Sequence, residues 1–375
     1  MFVELHLIQS FGPSNLNRDD TNSPKDCEFG GHRRARISSQ ALKRAIRMEP
    51  KFAEMTQAEP GQRSKWLTRP LIEKLTEAGK EEDAARGLAS EFAKAYAGKV
   101  DAKNPEKTSV LLFYSPSEVD LIASGLLEQW DDLLAAKESG RTKLLGDLVK
   151  AIIKETKNRT SAPDIALFGR MLADKPELNI DAACQVSHAI STHRVQMEMD
   201  YYTAVDELLS DEEAGAGMVG FTGFNSACFY RYARIDFAQL CKNLDGDVAL
   251  AKRTVLAFLR AALNAIPTGK QNAFAAQSPT DLALAVVRGD GMSWSLVNAF
   301  ETPVRAGHDS GYLEPSIKAL DDCWTALAGF YDDADIRAAA VHIKQHGDAL
   351  KALEPYRQET LSAWLGAIAD ALSEE

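Results

Sequence analysis

The sequence predicts an α+β fold: an antiparallel sheet domain interrupted by a helical subdomain. Three observations predict it. Val3, Leu5 and Leu7 alternate with Glu4 and His6, as in a strand with one face buried. Residues 51 to about 165 are rich in Ala, Leu, Glu and Lys at helical spacing, with few strand formers outside SVLLFY at 109–114. SACFYRYARIDF at 226–237 then returns to strand alternation, rich in the aromatic residues that suit a pleated surface. Strand, helix, helical insertion, then strands and helices is the order of an α+β domain.

Taken in order, residues 2–9 read as the first strand. The loop FGPSNLNRDDTNSPKD follows, and its length for a plain connection hints at function. Gly30-Gly31 marks a turn, after which Arg34, Arg36 and Ser38 fall at period two, as on one side of a short strand or hairpin arm. Ser38 and Ser39 are helix caps, and QALKRAIRM after them reads as a helix. In the insertion, Ser115-Pro116-Ser117-Glu118 supplies an N-cap, Pro at the first helical position and Glu at the third. DAACQVSHAISTHRV reads as a helix running into a strand or arm, DELLSDEE as an acidic helix, and GAGMVGFTGFNS as a flexible glycine-rich stretch. Residues 247–266 are an amphipathic helix. DLALAVVRG and SWSLVNAFE suggest two strands, and the tail from Glu314 reads as mostly helical.

Composition narrows the function. The chain has 375 residues, enough for one large or two to three small domains. No apolar run approaches the ~18 residues of a membrane span, and MFVELHLIQS lacks a signal peptide's basic start, so a cytoplasmic protein is expected. Five scattered cysteines without a CxxC pair point to reduced thiols. No GxSxG, Walker or Rossmann glycine pattern occurs. His188 and His193 read as core or surface histidines. His342 and His346 read as one face of a helix turned to water, since HIKQH lacks the glutamate of a zinc protease motif.

The charge pattern is more telling. The formal net charge is −11, yet Lys25 to Arg47 holds Lys25, Arg33, Arg34, Arg36, Lys43, Arg44 and Arg47 against only Asp26 and Glu28. A positive block kept on an acidic chain is a candidate polyanion footprint. Gln40, Lys43, Arg44 and Arg47 follow helical spacing and share one face, while Leu42, Ala45 and Ile46 can pack on a core. A helix starting beside Ser38 and Ser39 offers free N–H groups to an anion, with Lys43 and Arg47 extending the site along a phosphate chain.

Motifs across the chain carry a resemblance. PSNLNRDD (13–20), FGGHRRARISSQALKRAIR (29–47), DIALFGRM (164–171), TAVDEL (203–208), FYRYA (229–233), NAFE (298–301) and PSI (315–317) are collinear. With them the chain resembles the CasC (Cse-type) backbone subunits of Cascade, the type I-E CRISPR surveillance complex. The resemblance implies an RRM-like (ferredoxin-like) palm with an inserted helical fingers domain and a hairpin thumb. The expected limits are 1–50 for the first part of the palm, 51–165 for the fingers, 166–193 for more palm, 194–224 for the thumb and 225–375 for the remainder.

It further implies a non-catalytic scaffold without a cofactor, a ribonucleoprotein component of antiviral defence. Copies would stack as a helical filament along one CRISPR RNA and present its bases to target DNA, beside other Cascade subunits. By motif, Ser38, Ser39, Gln40, Lys43, Arg44 and Arg47 would hold the guide backbone, joined by Arg33, Arg34 and Arg36 from the arm and by Arg18 and Lys25 from the loop before it. Phe168, Arg170 and Met171 fall in DIALFGRM, with Met171 as a wedge beside a displaced base. Pro267 to Gln271 resembles a family loop in which Lys270 and Gln271 would reach the RNA. Where the family pattern has lysine after the double glycine, this chain has His32. An enzymatic alternative is metal-dependent RNA cleavage through Asp19 and Asp20; the simpler reading is that these residues cap turns or pair with Arg18.

Overall fold

The computed structural model describes residues 1–173, 175–205, 216–307, 310–332 and 334–373. The chain runs β1 (Phe2–Ser14), β2 (Asp26–Phe29), β3 (His32–Ile37), α1 (Ser39–Arg47), α2 (Pro50–Thr56), β4 (Gln62–Ser64), α3 (Thr68–Glu77), α4 (Glu82–Ala97), β5 (Leu112–Tyr114), α5 (Pro116–Glu128), α6 (Trp130–Ala135), α7 (Glu138–Thr156) and α8 (Pro163–Phe168). It continues through β6 (Cys184–Val186), β7 (Ala189–Ser191), β8 (Glu198–Val205), β9 (Ala216–Asp236), α9 (Phe237–Asn243), α10 (Val248–Asn264), α11 (Gln271–Phe274), β10 (Leu282–Arg288), α12 (Leu313–Tyr331), β11 (Ile336–Ile343) and α13 (Leu361–Ser373). Two compact units emerge: residues 1–52, 185–234 and 255–375, and residues 53–184 with 235–254. The helical unit thus takes in 166–184, which the resemblance assigned to the palm.

The first unit is built on a sheet of order β11-β10-β1-β9-β7-β3-β2, with β6 and β8 also paired to β9. Strand β10 is buried along its whole length, antiparallel to β1 from Phe2↔Arg288 to Ile8↔Leu282 and to β11 on its other edge. One core cluster gathers Ile8, Leu284, Val286, Trp294, Ile317, Leu320 and Trp324, the last three from α12. Another gathers Phe11, Ile37, Leu42 and Phe229, which seats α1.

Because both sides of β1 are covered, Glu4 and His6 are buried rather than solvated as alternation predicted. Glu4 is satisfied locally, while His6 is bonded at Nδ1 and its buried Nε2 has no hydrogen-bond partner among the described residues. Glu4 accepts from Arg288 Nε at 2.8 Å, from the Trp294 N–H at 2.6 Å and from the Tyr232 hydroxyl at 3.1 Å. The Tyr230 hydroxyl accepts the Leu296 N–H at 2.9 Å and is hydrogen-bonded to His6 Nδ1, also at 2.9 Å. Burial, aided by the Arg288 charge, pushes the His6 pKa down to about 3.

The second unit packs α3, α4, α5 and α7 around Leu71, Leu75, Phe92, Tyr96, Ile122, Leu126, Leu148 and Ile152. Helix α5 opens with the expected capping box. Ser115 Oγ accepts the Glu118 N–H, and Glu118 Oε2 accepts the Ser115 N–H at 2.7 Å.

Several expectations change. Of the expected helix running into a strand over 181–195 only the strand part forms, as β6 and β7, because the backbone is drawn into pairs such as Ile190↔Tyr230. SWSLVNAFE forms a turn of 3₁₀ helix at Leu296–Phe300 instead of a strand. The alanine-rich run IRAAAVHI reads as helix but becomes β11, since β10 offers it a full ladder. Accordingly His342 lies on a strand and His346 in a left-handed turn, not on a helix. The glycine-rich 216–223 is the first part of β9, while DELLSDEE lies wholly outside the described residues. Among the described residues no helix is long and apolar enough to cross a membrane, and all five cysteines are free.

Candidate nucleic-acid interface

Helix α1 forms where the sequence placed it. Ser38, in extended conformation, accepts the Ala41 N–H on its side chain at 3.3 Å. Its own N–H is held by the Asn17 side chain at 2.8 Å, which ties the helix start to the loop after β1. Leu42 and Ile46 are buried, Gln40 and Arg44 are exposed, and Lys43 and Arg47 are half-buried. Among the described residues no carboxylate sits in the first turn, so the cap is left to serine.

A cleft of about 620 Å³ opens in this unit beside the helix. Arg18 and Asn22 line it from the loop after β1, Arg44 from α1, Met48 from the cap just past it, and Pro267 to Gly269 from the loop before α11. The two loops approach so closely that a side chain on Gly269 would meet the Leu16 carbonyl at 2.3 Å. Lys270 sits next to it with φ +50, and Gln271 Nε2 donates to the Pro267 and Ala276 carbonyls at 3.1 and 3.2 Å. The Gln271 amide therefore staples its own loop, leaving Lys270 as the cation of this segment.

Asp19 and Asp20 also line the cleft. Asp19 is engaged in a turn, accepting from the Thr21 hydroxyl at 2.8 Å and from the Thr21 and Ser23 N–H groups at 2.9 and 3.0 Å. The Thr21 hydroxyl is the main cause holding its carboxyl below the usual range. Arg18 donates to Asn22 at 2.7 Å rather than to either aspartate. Among the described residues no group of three His, Cys, Asp or Glu side chains is gathered as metal ligands.

The arm departs from expectation. Arg34 is fully buried, donating to the carbonyls of Ser191 at 3.0 Å, Phe300 at 2.7 Å, Glu301 at 3.1 Å and Phe29 at 3.3 Å. It is a tertiary clamp and has no face left for RNA. Arg33 is exposed but paired with Asp26. Arg36 donates to the Asp26 carbonyl at 3.0 Å and meets His188 Nδ1 at 2.9 Å. His193 stacks on Tyr312 at 3.7 Å and accepts the Cys228 N–H at 3.1 Å, so it is a core histidine.

DIALFGRM belongs to the second unit and splits by residue. Phe168 is buried. Gly169 sits at φ +73, and a Cβ there would stand 2.8 Å from the Ile180 carbonyl oxygen, so only glycine fits. Arg170 is buried against Glu118, with Nη1 2.7 and 2.9 Å from its oxygens, and donates to Leu178 O at 2.6 Å and Phe113 O at 3.1 Å. Both Phe168 and Arg170 are thus structural, whereas Met171 is 85% exposed.

Strands β8 and β9 pair as an antiparallel hairpin from Glu198↔Phe224 to Val205↔Ala216, within the range expected for the thumb. On one face Tyr201 opposes Phe221 with ring centroids 5.3 Å apart. Met199 and Val219 flank them, and all four side chains are exposed. Across the other face Tyr202 lies over Gly220, a cross-strand cover for a glycine. Asn15 and Asn17 were missed by sequence reasoning. Asn15 Nδ2 bonds the Gly223 carbonyl at 2.8 Å, and such long-range tethers leave no local pattern.

These features define an α+β protein with a serine-capped cationic helix face and a projecting apolar hairpin. The chain belongs to the CT1975-like Cas protein family, whose model matches residues 3–366. Among solved structures it is similar to a chain of a "CRISPR RNA-guided surveillance complex, pre-nicking", with 30% identity and TM-score 0.83 over 99% of this chain and 100% of that one. A chain of another "CRISPR RNA-guided surveillance complex" matches at 27% identity and TM-score 0.77, again over 99% and 100%. Comparison with curated proteins gives no match.

Proposed function

We propose that this protein is a non-catalytic backbone subunit of a type I-E CRISPR surveillance complex, binding CRISPR guide RNA and polymerising along it in the cytoplasm. The observation that carries the reading is α1: a Ser38-capped helix whose cations lie on the face away from Leu42 and Ile46, beside a cleft lined by Arg18 and Arg44. Phosphate contacts hold a strand without reading it, which suits a subunit that must accept any guide sequence. The solved relatives come from RNA-guided complexes, which supports the same assignment. The sheet order β10-β1-β9-β7, with α1 following β1 and α10 joining β9 to β10, supports an RRM-like palm.

The guide-holding set is then Arg18, Lys25, Ser38, Ser39, Gln40, Lys43, Arg44, Arg47 and Lys270, with Met171 as a base wedge. The β8–β9 hairpin is the thumb that meets the neighbouring copy. Target DNA is met through the exposed guide bases. The test is to purify the chain with its guide RNA and measure absorbance ratio, RNA length on a denaturing gel and particle size. An RNA-bound assembly of many copies, with intact RNA after magnesium is added, is expected. An RNA-free particle overturns the reading, and regularly spaced RNA fragments would replace it with cleavage through Asp19 and Asp20.

A further inference from the structure

The loop between β1 and β2 is tied to both working parts of the first unit, α1 and the β8–β9 hairpin. Asn17 Oδ1 accepts the Ser38 N–H at 2.8 Å and so holds the start of α1. Two residues earlier, Asn15 is 1% exposed, and its amide donates to the Gly223 carbonyl of β9 at 2.8 Å and to the Asn22 carbonyl at 3.1 Å. Its Oδ1 has no partner among the described residues, so the side chain bonds through donation alone. Gly223 pairs with Met199 at the base of the hairpin, one step beyond Glu198↔Phe224. The loop lies directly against this point: a Cβ on Gly223 would stand 3.2 Å from Pro24 Cδ and 3.7 Å from Ser23 Oγ. Phe224 packs on Phe274 of α11 with ring centroids 5.7 Å apart, so the segment that carries Lys270 meets the same base.

The side of the loop that faces α1 is pinned without Asn15. The Lys25 N–H donates to the Asn17 carbonyl, the Arg36 N–H to the Lys25 carbonyl and the Asp19 N–H to the Ser23 carbonyl, each at 2.9 Å. Arg18 and Lys25 are therefore placed by backbone bonds, whereas the tie to the hairpin runs through the Asn15 amide. An amide that gives its two N–H groups to two different segments fixes the distance between them. Because both bonds are buried, leaving either unmade is unfavourable, and the two segments keep their relative position.

We infer that Asn15 is a positioning residue that couples the guide site to the hairpin: it sets where the hairpin stands relative to RNA held at α1, and, buried as it is, does so without touching the RNA. The inference rests on the guide-binding reading. A single copy on RNA needs only α1 and its loop. Seating a second copy beside the first needs a hairpin already aimed, because a hairpin free to swing must be ordered as the contact forms.

The test uses the full chain and two labelled single-stranded RNA probes, one short enough to seat a single copy and one long enough for many. Asn15→Asp keeps the side-chain shape but turns the donors into acceptors. Asn15→Ser is neutral, keeps one donor and is the gentler variant, with thermal melting as the fold control. For Asn15→Asp, affinity for the short RNA is expected within about twofold of wild type, while affinity for the long RNA falls at least about fivefold. Light scattering should count fewer copies per long RNA, and Asn15→Ser should fall between the two. Amide hydrogen exchange should quicken over 219–224 and stay at the wild-type rate in α1, a split that a general loss of stability would not produce. Unchanged long-RNA affinity in a folded variant, or equal losses on the two probes, overturns the coupling. A wild-type chain that binds neither probe overturns the guide-binding reading and this inference with it. A wild-type chain that binds the long probe no more tightly per copy than the short one leaves that reading standing and overturns the coupling alone.

Discussion

The basic residues of this chain fall into two populations that look alike in sequence. Arg34 and Arg170 are buried and spend their donors on carbonyls and, for Arg170, on Glu118, whereas Arg44 and Lys270 keep access to solvent. Removing one partner of a buried ion pair strands the other. Arg170→Met should therefore cost about 3–5 kcal/mol in a denaturant titration. Lys43→Glu with Arg47→Glu should instead leave the melting curve near wild type while guide RNA no longer co-purifies; wild-type RNA content in that variant would refute the site. His6 gives a pH test. Its folded pKa of about 3 lies below the ordinary 6.5, so the unfolded chain binds the extra proton between those values. Stability should fall as pH drops from about 6.5 toward 3, by up to about 1.4 kcal/mol per pH unit for this group. His6→Gln should flatten that slope between pH 7 and 5, and an unaltered slope would exclude His6 as its source.

Elements obey local rules where a cap or turn dictates them. Ser38 and Ser115 start helices as their sequences required, and Ser38→Ala should cost about 1 kcal/mol through the lost cap while keeping the Asn17 tether, which is made to the Ser38 backbone N–H. The turn between β2 and β3 places Gly30 at φ +60 and Gly31 at φ +71, the twin left-handed pair of a tight hairpin. The two glycines are not equivalent. A Cβ on Gly30 would stand 1.8 Å from the Glu301 carbonyl, while one on Gly31 meets open space. Gly31→Ala should cost about 1–2 kcal/mol of backbone strain alone. Gly30→Ala should cost clearly more and, by pushing on Glu301, should loosen the carbonyls that hold Arg34. Equal melting points for the two variants would contradict this.

At the scale of the whole molecule, the β8–β9 hairpin leaves Met199, Tyr201, Val219 and Phe221 exposed, the face that the proposed function assigns to the neighbouring copy. Met199→Ser/Tyr201→Ser/Phe221→Ser should spare RNA binding by single copies but reduce the number of copies per guide, read by size exclusion with light scattering. Full-length assemblies in that variant would refute the proposed role of the hairpin.

The sequence by itself determined helix α1: its cap, its cationic face and its buried face are all set by residues within one or two turns, because helix geometry fixes which side chains share a side. It also determined the α+β class and the helical character of most of 51–165, through periodicity. Only the tertiary structure decided which cations serve the fold. Arg34 is claimed by carbonyls of Ser191 and Phe300, more than 150 residues away, and no local pattern announces that. The same holds for β11 and for β6 and β7. Their composition permits helix, and they become strands because a neighbouring strand supplies hydrogen bonds that outweigh a weak intrinsic preference.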